Sequence, residues 1–299
     1  MSATVSLARG LKRWLANTEE DLRVACGRIT RPFAADRSAD RPELFEERPL
    51  DGDGRRLDER YGDFPLQCVS PGDGHYMHSF FDVPPVSVSG RFLLLSRIPF
   101  IWRLPLPGDS AELCVVDLEN RSFRVVYRSQ GWGMQLGINA HWHPASDDII
   151  YCNDLIDGEG RAVVIDLAER THRQLDGPLY AVGADGRHVY GPSLTRINHS
   201  QDGYGVPLPS RRSLQVPAGL SRDDGIWRTD VATGRRELLV SIHDLAAGLP
   251  DRERLRTAVT TLFHLKLNAA GDRFFQVMRH TGLPDRPFAV RSRLLGLDV

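Results

Sequence analysis

Residues 141–153 read HWHPASDDIIYCN, and residues 162–175 read AVVIDLAERTHRQL. Together they make one unit: a polar turn, an apolar strand, a second strand ending in apolar-Asp-apolar, a short polar turn and a third strand. Gly or Asp ahead of the strand supplies a tight turn. Short β-branched runs separated by DLAER-type turns read as an antiparallel meander. The unit recurs on both sides. VSVSGRFLLLS (86–96) leads to LCVVDLENRSFRVVY (113–127), AVGADGRHVYG (181–191) leads to IWRTDVATGRRELLVSI (226–242), and KLNAAGDRFFQVM (266–278) leads to SRLLGLDV (292–299). The marking aspartates are Asp117, Asp166, Asp230 and Asp298. Small strand groups that repeat without intervening helices predict an all-β protein, a β-propeller with about four blade units. A β-sandwich would not need to repeat an Asp-marked hairpin. The fourth copy stops at Leu297-Asp298-Val299, where the earlier copies run on into a hairpin. This predicts a partial ring, with an incomplete last blade whose open edge could support self-association.

The repeats set the domain boundary. Residues 73–299 are the blades, and residues 1–72 are a separate segment. Within it, Leu7, Leu11, Trp14, Leu15 and Leu22 fall near helical spacing, which predicts a short N-terminal helix packed on the main body. Residues 31–72 are rich in Pro, Asp, Arg and Gly and read as a linker or wrapping strand.

Composition narrows the function classes. Lys and Arg number 38 against 39 Asp and Glu, so no bulk charge draws the chain to nucleic acid or a membrane surface. No apolar run reaches membrane-spanning length, and the N-terminus lacks the apolar stretch of a secretion signal. The expectation is a cytoplasmic protein. Cys26, Cys68, Cys114 and Cys152 form no CxxC pair and read as reduced structural thiols. Nucleophile-elbow, zinc-protease and phosphate-loop motifs are all missing from the chain.

One stretch breaks the pattern. TRINHSQDGYGVPLPSRR (195–212) lies in an insertion of about thirty residues between two strands of the third unit. Loops on propeller faces carry function more often than the scaffold does, and the glycines flanking Tyr204 let the backbone turn and hold the ring outward. Trp132, Trp142 and Trp227 read as filling between blades.

Several stretches resemble the propeller-shaped polysaccharide lyases, the group of oligogalacturonate and ulvan lyases. They are HYMHSFFDVPPVSVSGRFLLLSRIPF (75–100), GWGMQLGINAHWHP (131–144), GPLYAVGADGRHVYGPSLTRI (177–197), GYGV (203–206) and FHLKLNAAGDRFFQVMRH (263–280). The resemblance implies β-elimination on an acidic oligosaccharide or polysaccharide. It places Tyr180 and Arg196, sixteen positions apart, in an active site with histidines from other blades. Arg196 would clamp the C6 carboxylate, since a guanidinium fork matches that group. Tyr180 would transfer a proton, partnered by His78 or His141. Gln135, His199, Tyr204 and His264 would contact substrate. The resemblance also implies a divalent metal, but the sequence shows no ligand set, and the His141/His143 pair is not taken as one. The other reading is a non-catalytic propeller of the TolB or WD type, serving as a ligand-binding or protein-interaction module.

Overall fold

The computed structural model describes residues 43–50, 68–209, 216–283 and 290–298. The N-terminal helix expected over 7–30 and the thiol of Cys26 lie outside them. The strands fall into consecutive antiparallel sheets. The first holds β1 (Arg48–Pro49), β2 (His75–Met77), β3 (Phe92–Ile98), β4 (Ala111–Asp117) and β5 (Ser122–Ser129). The second holds β6 (His141–His143), β7 (Ser146–Ile156), β8 (Glu159–Asp166) and β9 (Thr171–Gln174). The third holds β10 (Ala181–Val182), β11 (His188–Pro192), β12 (Gly225–Asp230) and β13 (Arg236–Ser241). The fourth holds β14 (Val259–Leu267), β15 (Arg273–Thr281) and β16 (Arg291–Asp298). Apart from β1, each sheet pairs its strands in chain order, and β1 adds to the outside of the first by pairing with β5.

Packing between the sheets makes them blades. Along β4, Leu113 and Val115 join a core shared with Ile150, Cys152, Val163 and Ile165 of the second sheet. The intervening Cys114 and Val116 join a separate core on the other side of the first sheet. In the second sheet, Tyr151, Ala162 and Val164 turn away from the first and pack on Leu179 and Val189, toward the third. Tyr190 and Ile226 of the third then meet Leu262 and Phe263 of the fourth. Side chains alternate along a strand. A sheet whose two faces enter two different cores is therefore sandwiched between neighbours, and its middle strands read as nearly unbroken apolar runs. Four sheets stacked face to face in chain order form a partial β-propeller, with β2, β6, β10 and β14 innermost.

The repeated aspartates hold the outer hairpins. Asp117 Oδ1 accepts the backbone N–H of Glu119 and Asn120, while its carboxylate also takes Arg91. Asp166 accepts Glu169 N–H, and Asp230 accepts Thr233 N–H. Asp298 instead pairs with Arg273 on the neighbouring strand. The three tryptophans singled out in the sequence are structural: Trp132 and Trp142 are buried, with indole N–H groups on Asp109 and Pro85 carbonyls, and Trp227 lies under Arg236. Cys114 and Cys152 are buried free thiols, and burial pushes both up in pKa.

Candidate active site on the propeller axis

The connection from β2 to β3 does not turn back at once. Ser79 donates to Ala140 O at 2.7 Å, just before β6, and the next three residues run over to β14. Phe80 stacks on His264 with ring centroids 5.5 Å apart, and Asp82 pairs with Lys266 at 2.6 Å. Residues 79–82 thus bridge the first, second and fourth blades on their axial side.

His264 owes its position to a flaw in the ladder. Between Phe263 and Lys266 the register with β15 slips, so one extra residue bulges from β14, and His264 takes φ +57°. A residue with a Cβ is strained in that left-handed region, and such strain concentrates at functional sites. Gln276, fully buried on β15, repairs the slip: its amide donates to the carbonyls of Phe263 and Val277. The bulge turns His264 Nδ1 to the Tyr180 hydroxyl at 3.3 Å.

Tyr180 arrives from the third blade and is itself pinned. Asn153 and Asn139 both donate to Leu179 O, and Asn153 Oδ1 accepts Leu179 N–H. Asn139 also meets His141 Nε2 at 3.3 Å. The insertion supplies the last wall. Gly203, at φ +79°, and Gly205 press on the 131–137 hairpin, where a Cβ on Gly133 would lie 2.4 Å from Gly203 O. Tyr204 then stands edge-on to His264, 5.1 Å away, and to Phe80 at 6.0 Å.

The electrostatics follow from burial. His264 and His141 are both held down to about 4, first by burial and then by the Lys266 ammonium, so both are neutral at pH 7. Burial pushes Tyr180 above its ordinary value, which keeps it a proton donor. Lys266 Nζ lies 4.9 Å from the Phe80 ring centre and 5.6 Å from that of Tyr180, within cation–π range. The result is a cluster, the axial cup, that gathers two neutral imidazoles, a phenol, a part-exposed ammonium–carboxylate pair and aromatic side chains, with Phe81 exposed beside it.

Of the residues singled out in the sequence, Tyr180, His141, Tyr204 and His264 gather here. His78 is exposed beside Ser79, near Ala140 rather than against the phenol. Gln135 supports the insertion through its N–H to Gly203 O. His199 turns to Thr281 Oγ1 at the far end of β15. Arg196 corrects the sequence-based expectation most sharply. It is buried in the 3-10 turn Arg196–His199, where its Nε donates to Thr260 O and its Nη1 meets Asp224 at 3.3 Å. A guanidinium engaged with an internal carboxylate is not placed to clamp a substrate's.

The cation at the cup is Lys266, which sequence reasoning missed along with Phe80, Asp82 and Gln276. One signal was available: of the chain's 38 basic residues, only Lys12 and Lys266 are lysines. For the divalent ion implied by the resemblance, the described residues offer no donor set. Among the described residues no three His, Cys, Asp or Glu side chains converge, while His264 Nδ1, His141 Nε2 and Asp82 already have protein partners.

No family model and no curated protein matches the chain. Among solved structures it is similar to an oligogalacturonate lyase in complex with manganese, at 13% identity over 84% of this chain and 74% of that one, with a TM-score of 0.45. It is also similar to oligogalacturonate lyase from Vibrio parahaemolyticus (11% identity, 76% and 68% covered, TM-score 0.40) and to TolB from Acinetobacter baumannii (9% identity, 78% and 46% covered, TM-score 0.39). The propeller assignment rests on the sheet order and split cores described above.

Proposed function

We propose that this protein binds an acidic glycan in the axial cup and cleaves it by β-elimination. The observation that carries the reading is the meeting of Tyr180, His264 and the Lys266–Asp82 pair, contributed by three blades and walled by Phe80 and Tyr204. Elimination needs a cation at the uronate carboxylate, a base for the C5 proton and an acid for the departing oxygen. Lys266 serves the first need. Its pair with Asp82 is part-exposed, and such pairs are worth only about 0–1 kcal/mol, so an incoming carboxylate can replace Asp82 at small cost. Neutral His264, in the tautomer that donates Nδ1–H to Tyr180, accepts the C5 proton at Nε2. The C5–H electrons become the C4–C5 double bond, the C4–O bond breaks, and the Tyr180 hydroxyl protonates the leaving oxygen.

The test is incubation with oligogalacturonides, ulvan and glycosaminoglycans while following the absorbance of the unsaturated uronyl product. Tyr180→Phe should lower kcat by 10²-fold or more, in line with the loss of one acid–base group. Lys266→Met should chiefly raise KM. Full activity in both variants would refute the site.

The Lys266–Asp82 pair and the raised Tyr180 also favour a second reading, a propeller that binds acidic sugars without chemistry. Calorimetry showing Lys266-dependent binding, with no unsaturated product from any substrate, would decide for it.

A further inference from the structure

Away from the axial cup, the second and third blades part beside their Asp166 and Asp230 hairpins and leave a cleft of about 430 Å³. Small-molecule clefts span about 300–1,000 Å³, mostly apolar with a few placed polar groups. Tyr151, Ile149 and Val164 of the second blade and Val231 of the third give this one its apolar lining. Tyr151 is fixed there, its hydroxyl donating to Gly186 O at 2.8 Å, and His143 packs on Gly186, where a Cβ would run into its ring. Two arginines that line the cleft meet at Val231. The Val231 N–H donates to Arg187 O at 2.8 Å, and its carbonyl accepts Nη2 of Arg173, which reaches across from β9. Among the described residues no carboxylate lies within ion-pair distance of either arginine. The two carboxylates of the lining are committed to turns instead: Asp166 Oδ1 accepts Glu169 N–H, and Asp230 Oδ1 accepts both the N–H and the hydroxyl of Thr233. A guanidinium presents a planar fork of N–H donors, of which Arg173 spends one on Val231.

We infer that this cleft binds a small monocarboxylate carried on a flat ring system, the ring against Tyr151, Ile149 and Val164 and the carboxylate on Arg173 and Arg187. The arginine fork matches a carboxylate, and the apolar lining asks the rest of the ligand to be apolar. Asp166 and Asp230 in the same lining offset the arginines at longer range. A single negative charge, hydrogen-bonded at contact, is therefore accepted, and a second one meets repulsion. The inference is independent of what the axial cup binds.

The experiment titrates the whole chain by calorimetry, at neutral pH and constant ionic strength, with four probes that share one ring system: naphthoate, naphthylmethanol, naphthylmethylamine and naphthyl phosphate. Naphthoate should bind along a saturating curve, and the other three about tenfold more weakly or worse, the loss expected without one charge-assisted pair. Arg173 and Arg187 are exposed, so Arg173→Met combined with Arg187→Met should abolish naphthoate binding while leaving the circular dichroism spectrum unchanged. Lys266→Met, in the axial cup, should leave naphthoate binding as it is. Crystals soaked with a bromonaphthoate should show the anomalous bromine peak in the cleft beside Tyr151, and this arm decides alone if the double variant fails to fold. Equal binding of the amine, naphthoate binding that survives in the double arginine variant or is lost in Lys266→Met, or a cleft without bromine would each overturn the site.

Discussion

His264 offers a test in which the usual rule of substitution reverses. In a strand, glycine is ordinarily less stable than alanine by roughly 0.5–1 kcal/mol, because it loses more backbone freedom on folding. At φ +57° the order should invert. The left-handed region costs a residue with a Cβ about 1–2 kcal/mol, and glycine almost nothing. Both His264→Gly and His264→Ala lose the ring that touches Phe263, Tyr204 and Phe80 at centroid distances of 4.2, 5.1 and 5.5 Å, so that loss cancels between them. The remaining difference favours glycine by about 0.5–1 kcal/mol after the two opposing terms are set against each other. In a chain of this size that amounts to about 2–4 °C per kcal/mol in melting temperature. Urea unfolding of the two variants, compared at matched m-values, reads the difference directly. An alanine variant as stable as the glycine variant, or more so, would mean that the bulge is not strained and that His264 is not held where the mechanism needs it.

Acid should weaken the fold through its neutral histidines. His280, His264 and His141 have folded-state pKa values near 4 against about 6.5 in the unfolded chain. Above pH 6.5 both states are neutral there; between pH 6.5 and 4 the unfolded chain takes up protons first. Stability should fall across that window, by up to about 3 kcal/mol for fully buried His280 and by less for the other two. Urea midpoints that stay flat from pH 7 to 4.5 would contradict this. Asp117→Ala removes the acceptor of two turn N–H groups and the partner of Arg91, and should cost about 2–4 kcal/mol. Asp166→Ala removes a single turn acceptor and should cost about 1 kcal/mol by the same denaturation assay. Gly133→Ala drives a Cβ to 2.4 Å from Gly203 O, displacing the insertion and Tyr204 with it. Glycan affinity should drop at least tenfold while the circular dichroism spectrum is kept, and unchanged affinity would exclude Tyr204 from the cup.

The blades were legible because their physics is local. The apolar-Asp-apolar signature names a residue whose carboxylate closes the turn two or three positions on, and Asp117, Asp166 and Asp230 each do this. Tyr204 was legible as a candidate because it stands in the insertion that breaks the strand pattern, while Tyr180 and His264 entered through the resemblance to the propeller lyases. Their convergence was not, because it depends on a bulge. Nothing in LFHLKLNAAGD announces the slip after Phe263, and the amide that stabilises it, Gln276, belongs to the partner strand. The FFD of residues 80–82 reads as part of a connection. Only the reach of that connection to β14 makes it part of a site.

Arg196 shows how spacing can point to the wrong atom. A match of sixteen residues to Tyr180 fixes where an arginine lies along the chain, not where its guanidinium points. The 3-10 turn after β11 buries the side chain, and burial of a permanent charge demands a counter-ion. Asp224 meets that demand, and its own pKa is raised by the same burial. Lys266 has the opposite setting. Its ammonium faces Asp82 across a part-exposed gap and lies over aromatic rings. In a chain that otherwise uses arginine almost everywhere, the compact ammonium is the basic group that fits among those rings and can exchange one carboxylate for another. Lys266→Arg therefore separates charge from shape. The larger guanidinium keeps the charge but crowds Phe80 and Tyr180, so glycan binding should weaken about as much as in Lys266→Met. Wild-type affinity in the arginine variant would show that the cup reads charge alone, and Lys266 would lose its claim to replace Arg196.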